Sequence, residues 1–207
     1  IFFENRFAQK ELGYGNIVYN YPLGEGNLGL GVSHFGHSDF SSYIIGITYA
    51  QKLHEYISMG VKVDYIGVNQ LAEYGNFQGV SFDIGLLSQP IENLTVGFHA
   101  FNPANLSYFT EDKLKIPMAF KLGASYFITD DLMAAVESGL AFNADIPLIR
   151  AGLQYQAYDN LYLRTGFSGR EIEYNFGIGY VYDNMIFDLA FAYHQFLGSS
   201  PKISFLY

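Results

Sequence analysis

The sequence has 207 residues, half of them hydrophobic and 18% aromatic, with only 15% charged, well under the roughly 25% of an ordinary soluble domain. Its 11 Lys and Arg stand against 20 Asp and Glu, and the resulting net charge of -9 argues against the clustered cations that nucleic acid requires. Cysteine is absent, which removes disulfide frameworks and thiolate metal sites, and no run approaches the ~18 apolar residues of a membrane helix. A chain of this composition that crosses a membrane must do so as a closed barrel, because lipid leaves the backbone groups of an open sheet edge unpaired. The sequence opens at Ile1 without a Met or a signal peptide, as a processed protein or a fragment would.

Period-two alternation dominates from end to end, and no long 3.6-residue period competes with it. Turn residues divide the chain into about fourteen strands, over residues 1–8, 15–23, 27–36, 40–51, 55–66, 77–88, 92–102, 117–128, 131–142, 146–156, 159–168, 171–182, 185–196 and 200–207. Tight turns are expected at Leu23-Gly24-Glu25-Gly26, Thr129-Asp130-Asp131, Ala157-Tyr158-Asp159 and Asp183-Asn184. The opposite rim takes the longer connections Gln9 to Gly15, Val68 to Asn76 and Pro103 to Ile116. Short turns on one side and longer loops on the other suit an antiparallel transmembrane β-barrel, and an even strand count leaves both termini on one side. Ten strand residues at ~3.3 Å each, tilted ~40°, cover the ~25 Å apolar band of such a barrel. A single domain over 1–207 is expected, with no boundary, helical repeat or low-complexity tract.

The alternation has a sidedness. Between Tyr56 and Tyr65, Ile57, Met59, Val61, Val63 and Tyr65 share one face, and Tyr56, Ser58, Gly60, Lys62 and Asp64 the other. Val80, Phe82, Ile84 and Leu86 oppose Gly79, Ser81, Asp83 and Gly85, and Phe187, Leu189, Phe191 and Tyr193 oppose Asp188, Ala190, Ala192 and His194. A soluble sandwich would show long polar side chains on its wet face. Here that face carries Gly29, Gly31, Gly60, Gly79, Gly85, Gly97, Gly123, Gly152, Gly166, Gly177 and Gly179. Glycine weakens an exposed strand but fits a crowded interior, so the glycine face is expected inward and the apolar face toward lipid. The inverted reading, a soluble lipocalin-like carrier, would line a pocket with Val61, Val136 and Ala151 and expose Lys62, Glu137 and Arg150; a chain with so few surface charges would then aggregate.

On the inward face, strands eight to eleven carry Lys121, Glu137, Arg150 and Arg164 in near succession, with Asp188 two strands on. Lys62, Asp64 and Asp83 form a second cluster. Opposite charges on neighbouring strands pair across a barrel wall, so these residues either rigidify the interior or form a surface that selects solutes.

Signals for covalent chemistry are weak. Gly24-Glu25-Gly26-Asn27-Leu28-Gly29 matches the dinucleotide string, but a strand follows where a helix is needed, so it reads as a hairpin and no cofactor is expected. His34 and His37 have only Asp39 nearby, which makes a solvated loop and not a metal site. An outer-membrane barrel enzyme would draw on Ser33, His34, His37, Asp39 and Glu73 at the rim, yet their spacing fixes no nucleophile, base and orienter. No G-x-S-x-G or H-E-x-x-H string exists.

The ending Pro201-Lys202-Ile203-Ser204-Phe205-Leu206-Tyr207 resembles the aromatic terminal-strand signal of outer-membrane barrels, although an ordinary edge strand ending in Tyr would look the same. Several further segments carry a wider resemblance. They are Phe3-Glu4-Asn5-Arg6-Phe7 through Glu11-Leu12, Asn93-Leu94-Thr95-Val96-Gly97 with Phe101-Asn102-Pro103, and Lys115-Ile116-Pro117. Ala151-Gly152-Leu153-Gln154-Tyr155, Leu161-Tyr162-Leu163-Arg164-Thr165-Gly166, and Tyr193-His194-Gln195 with Leu197-Gly198 and Ser200-Pro201 continue it. Taken along the whole chain, these resemble the PorV/PorQ-type barrels of Bacteroidota within the FadL-like superfamily. The resemblance implies a fourteen-stranded barrel in a Gram-negative outer membrane. It also implies either passage of a hydrophobic small molecule or an accessory role in a larger outer-membrane protein complex, such as type IX secretion. Family members carry an Asn-Pro-rich N-terminal segment that partly fills the barrel; the sequence shows none before its first strand, so no hatch is carried over.

Overall fold

The computed structural model describes residues 1–71, 75–109, 115–141, 146–169 and 172–207. The first seven strands are β1 (Phe2–Asn5), β2 (Gly13–Leu23), β3 (Gly26–Gly36), β4 (Phe40–His54), β5 (Ile57–Gln70), β6 (Phe77–Ile91) and β7 (Leu94–Phe101). The second seven are β8 (Ala119–Phe127), β9 (Leu132–Ala141), β10 (Leu148–Tyr158), β11 (Leu161–Ser168), β12 (Glu173–Tyr182), β13 (Met185–His194) and β14 (Gly198–Leu206). Each strand pairs antiparallel with its neighbours in sequence, and β1 pairs with β14, so the sheet closes into a fourteen-stranded barrel. None of the described helices is long and apolar enough to cross a membrane; the crossing elements here are strands.

The expected strands are all found, with ends displaced by a few residues. The largest departure lies at the start. Strand one stops at Asn5, because Phe7 and Ala8 take φ of 54° and 53°, in the left-handed region, and turn the chain into two short 3-10 segments, Arg6–Ala8 and Lys10–Leu12. The expected loop Val68 to Asn76 narrows because β5 runs on to Gln70. Glu73, a rim candidate, lies outside the described residues, as does part of the expected loop Pro103 to Ile116.

The hairpins between β2 and β3, β4 and β5, β6 and β7, β10 and β11, and β12 and β13 are all tight, and both chain ends lie on their rim. Gly24 makes the first of these turns at φ 61°, a conformation that a β-branched residue would adopt only under strain. Bulges at Gln156/Tyr158 and Lys52/His54 sit beside two of the others, where they end the ladder and increase local twist.

Closure fixes which face is inside. Glu4, Arg150, Asn175 and Lys202 come from β1, β10, β12 and β14, yet they line one cavity of about 560 Å³, which strands this far apart in the sheet can share only across a barrel interior. Register then assigns the rest, since directly opposed residues point to the same side. Arg150 opposes Glu137, Glu137 opposes Gly123, Gly123 opposes Gly97, and Arg164 opposes Gly177. The glycine and charged face is therefore inward. The apolar face points out, with Val63, Ile47, Leu122, Phe176 and Leu189 each more than half exposed. Val61 and Val136 belong to this outer face, which rules out the lipocalin-like inversion. A continuous apolar girdle of this size has no counterpart on a soluble monomer; it is the surface of a membrane-spanning barrel.

Leu189→Arg on the outer face is expected to lower stability in a bilayer by about 2–4 kcal/mol, while Ala190→Ser on the lumenal face stays near neutral. Urea unfolding of the refolded barrel in lipid vesicles measures both, and equal effects would contradict the assigned sidedness.

Candidate functional site in the barrel lumen

Two walls of different chemistry face each other across the lumen. Where β4 to β9 bound a second cavity, of about 470 Å³, they contribute mainly small and apolar groups, Ala50, Ser58, Gly60, Gly85, Leu87, Gly97 and Gly123, together with His99, Lys121 and Glu137; further along, β5 and β6 carry Lys62, Asp64 and Asp83 inward. No heavy atom lies within 4 Å of a Cβ placed at Gly85, so this stretch of wall borders open lumen.

The opposite wall, from β10 round to β2, is charged and hydrogen-bonded. Arg164 on β11 forms a salt bridge with Asp188 on β13 and donates from Nε to Gln154 Oε1 at 2.7 Å. The hydroxyl of Ser204 donates to the second Asp188 oxygen at 3.0 Å. Arg164 and Asp188 are not on adjacent strands. They meet because β12 places Gly179 between them: a Cβ there would come within 2.5 Å of Asp188 Oδ1 and 2.8 Å of Arg164 Nη1. Arg150 and Glu137, directly opposed on β10 and β9, pair at 2.5 Å with both side chains more exposed. Higher up, Ser168 Oγ donates to Glu173 at 3.0 Å and accepts from Asn175 at 3.2 Å.

A strap closes part of the rim opposite the tight turns. The Phe7 amide donates to Ser200 Oγ at 2.9 Å, and its ring meets His194 edge-on with centroids 6.1 Å apart. Arg6 lies 5.3 Å over the Phe35 ring and 5.9 Å over Tyr14 while its Nε bonds Glu4 at 3.3 Å. Glu4 in turn takes Lys202 at 3.4 Å, so one carboxylate joins the strap to β14.

Of the eight expected lumenal charges, all are on the inward face, but they do not form one ladder. Arg164 with Asp188 and Arg150 with Glu137 are separate pairs. Lys121 opposes His99 and Gly139, and no ion pair involves it among the described residues. Lys62 bonds Asp64 at 2.6 Å, and Asp83 takes its partner from β7, His99, at 3.3 Å. His99, Gln154 and Ser204 belong to these networks but were not singled out in the sequence. Alternation would have put them on the right face; only register shows what they reach.

Among the described residues, the rim candidates do not assemble a catalytic set. Ser33 and His34 are consecutive in β3 and point to opposite sides of the wall. Ser38 hydrogen-bonds His37 Nδ1 at 2.9 Å and Asp39 Oδ1 at 3.0 Å, a local turn contact between exposed neighbours that leaves His37 and Asp39 unconnected. Among the described residues, no three His, Cys, Asp or Glu side chains come together to hold a metal.

No known family profile matches the sequence. No curated protein matches it either. Solved structures do. The Pseudomonas putida toluene transporter TodX superposes with a TM-score of 0.68 at 11% identity, covering 98% of this chain and 84% of that one. The CymD monoaromatic hydrocarbon channel gives 0.67 at 12% identity, covering 98% and 84%. A Pseudomonas aeruginosa FadL homologue gives 0.57 at 13% identity, covering 94% and 76%. At these identities the shared property is the fold alone, a closed outer-membrane-type β-barrel. These neighbours add nothing to the narrower likeness to PorV/PorQ-type barrels.

The two ion pairs should differ in a double-mutant cycle. Arg164 with Asp188 carries two further hydrogen bonds, and its coupling is expected at about 1 kcal/mol or more, against a few tenths (roughly 0.2–0.5 kcal/mol) for the more exposed Arg150 with Glu137. Denaturant titration of the single and double alanine variants reads both; a larger coupling for Arg150 with Glu137 would overturn the ranking.

Proposed function

We propose that this barrel resides in a Gram-negative outer membrane and passes small, predominantly apolar solutes without covalent chemistry. The observation that carries this reading is the division of the lumen. Over β4 to β9 a stretch of glycine, alanine and leucine, joined by His99, Lys121 and Glu137, bounds a cavity of about 470 Å³, inside the roughly 300–1,000 Å³ range of small-molecule sites. Its glycine, alanine and leucine stretch lets an apolar solute make contact with little polar surface to desolvate, while His99, Lys121 and Glu137 line the same cavity. The charged wall opposite has most of its groups satisfied by one another, so it stiffens the barrel and leaves the apolar wall as the path. Support also comes from the fold shared with proteins described as a toluene transporter and a monoaromatic hydrocarbon channel.

Filling the path tests the reading. A Cβ at Gly85 meets nothing within 4 Å, so Gly85→Phe is expected to fold normally and to narrow the lumen. In proteoliposomes, entry of toluene through this variant should fall close to the protein-free level while the parent barrel passes it. A parent barrel that passes no apolar solute yet copurifies with a secretion or uptake complex would replace the channel reading with the accessory role implied by the PorV-type resemblance. A second variant, Gly166→Leu, serves as a folding control, since a Cβ there would lie 2.6 Å from the Ala151 carbonyl oxygen and strain the wall itself.

A further inference from the structure

On the lumenal face of β5 and β6, three oxygen-bearing side chains meet in a closed place. Asp64 and Ser81 are directly opposed, and Asp83 is the next inward residue along β6. Asp64 and Ser81 have no exposed surface, and Asp83 retains 6%. Each already spends part of its capacity, or none. Asp64 holds Lys62 through Oδ1, and Asp83 holds His99 through Oδ2. What remains is Asp64 Oδ2, Ser81 Oγ and Asp83 Oδ1, three buried oxygens without a hydrogen-bond partner.

The surroundings show why these atoms have no protein partner. On β4 the residue opposite Asp64 is Gly46, over which the Lys62 and Asp64 side chains fold; a Cβ there would strike both. Two residues above Ser81 on the same face is Gly79, and Ile116, only 1% exposed, places its Cδ1 2.9 Å from where a Gly79 Cβ would be. Asn102 Nδ2 holds the Ile116 carbonyl at 2.8 Å, which fixes this cap in place. On β5 the next inward residue is Ile66, also buried. The cluster is thus walled by glycine and isoleucine. Its charged members are two carboxylates and one ammonium, with His99 beside Asp83.

An uncompensated carboxylate in such a place costs several kcal/mol. We infer that Asp64, Ser81 and Asp83 form a binding site for a hard cation, sodium or calcium, seated between β5 and β6 under Ile116. Carboxylate and hydroxyl oxygens are the donors such ions take, whereas zinc and copper favour nitrogen and sulfur ligands, of which only His99, already turned to Asp83, is near. The two carboxylates and the Lys62 ammonium sum to one negative unit, which a monovalent ion neutralises and a divalent ion reverses. Asp64, Ser81 and Asp83 are not among the residues that bound the 470 Å³ cavity, and the site does not depend on which solute the barrel carries. Its bound ion ties β5 and β6 together at the point where the segment after β7 packs onto them.

The test uses the full barrel in detergent, stripped with chelator and exchanged into a buffer whose only cation is choline. Thermal unfolding is followed while sodium, potassium, magnesium or calcium chloride is added at constant ionic strength. A saturable rise of about 5 °C or more with sodium or calcium is expected, smaller with potassium and magnesium. Asp83→Asn should abolish the rise, and Ser81→Ala should shift it to higher ion concentration. Should Asp83→Asn not fold, Ser81→Ala alone decides. Equal melting temperatures in all salts, or an undiminished response in both variants, would overturn the site. So would an Asp83→Asn barrel that is more stable than the parent in every buffer, because the pocket would then hold a proton and no ion.

Discussion

A chain that spans lipid with strands must satisfy each of its own backbone N–H and C=O groups, and here that requirement rests on one short seam. β1 and β14 meet over Phe2 with Ser204, Phe3 with Ile203 and Glu4 with Lys202. The Ile1 nitrogen donates to the Phe205 carbonyl at 2.8 Å, and the Phe205 amide returns a bond to Ile1 at 2.9 Å. Immediately after the seam, the strap through Phe7 bonds to Ser200 of the same β14. The shortest strand is thus held at its outer end by side chains as well as by the ladder. Without this seam the sheet would have two free edges and no interior.

Given closure, the glycine content acquires a specific meaning. Where charged groups occupy the lumen, they lie close against glycines of the wall. Gly179 beneath Arg164 and Asp188, and Gly46 beneath Lys62 and Asp64, are the positions that permit this. The ion pairs therefore depend on glycines of neighbouring strands as much as on each other. Elsewhere on the wall of β5 to β8 glycine does something different. Gly60, Gly85, Gly97 and Gly123 have no charged pair lying over them, so the absence of side chains there leaves space, and that space is where a solute would pass.

Much of the fold is legible in the sequence because its causes are local. A period of two, broken by Gly, Asn and Asp turns, defines strands whichever partner they find, and the contrast between Val61 and Lys62 or Leu189 and Asp188 defines their faces. The start of the chain escaped this reasoning. Alternation continues through Arg6, Phe7 and Ala8, yet Phe7 and Ala8 adopt left-handed backbone, held by Ser200 and His194 from the far end of the chain. Nothing local announces that contact.

What the sequence by itself determined is the barrel: strand number, tight-turn rim, lipid face and the set of inward charges, all consequences of side-chain alternation along single strands. Which of those charges meet was decided only by tertiary structure. Lys121 and Glu137 look like natural partners from their order, but register gives Glu137 to Arg150 and sets Lys121 opposite His99 and Gly139. Arg164 reaches past β12 to Asp188 because a glycine happens to lie between them. The physical reason is that a strand's own sequence fixes the side on which a group points, whereas its distance to another group depends on stagger, curvature and closure, which belong to the whole sheet.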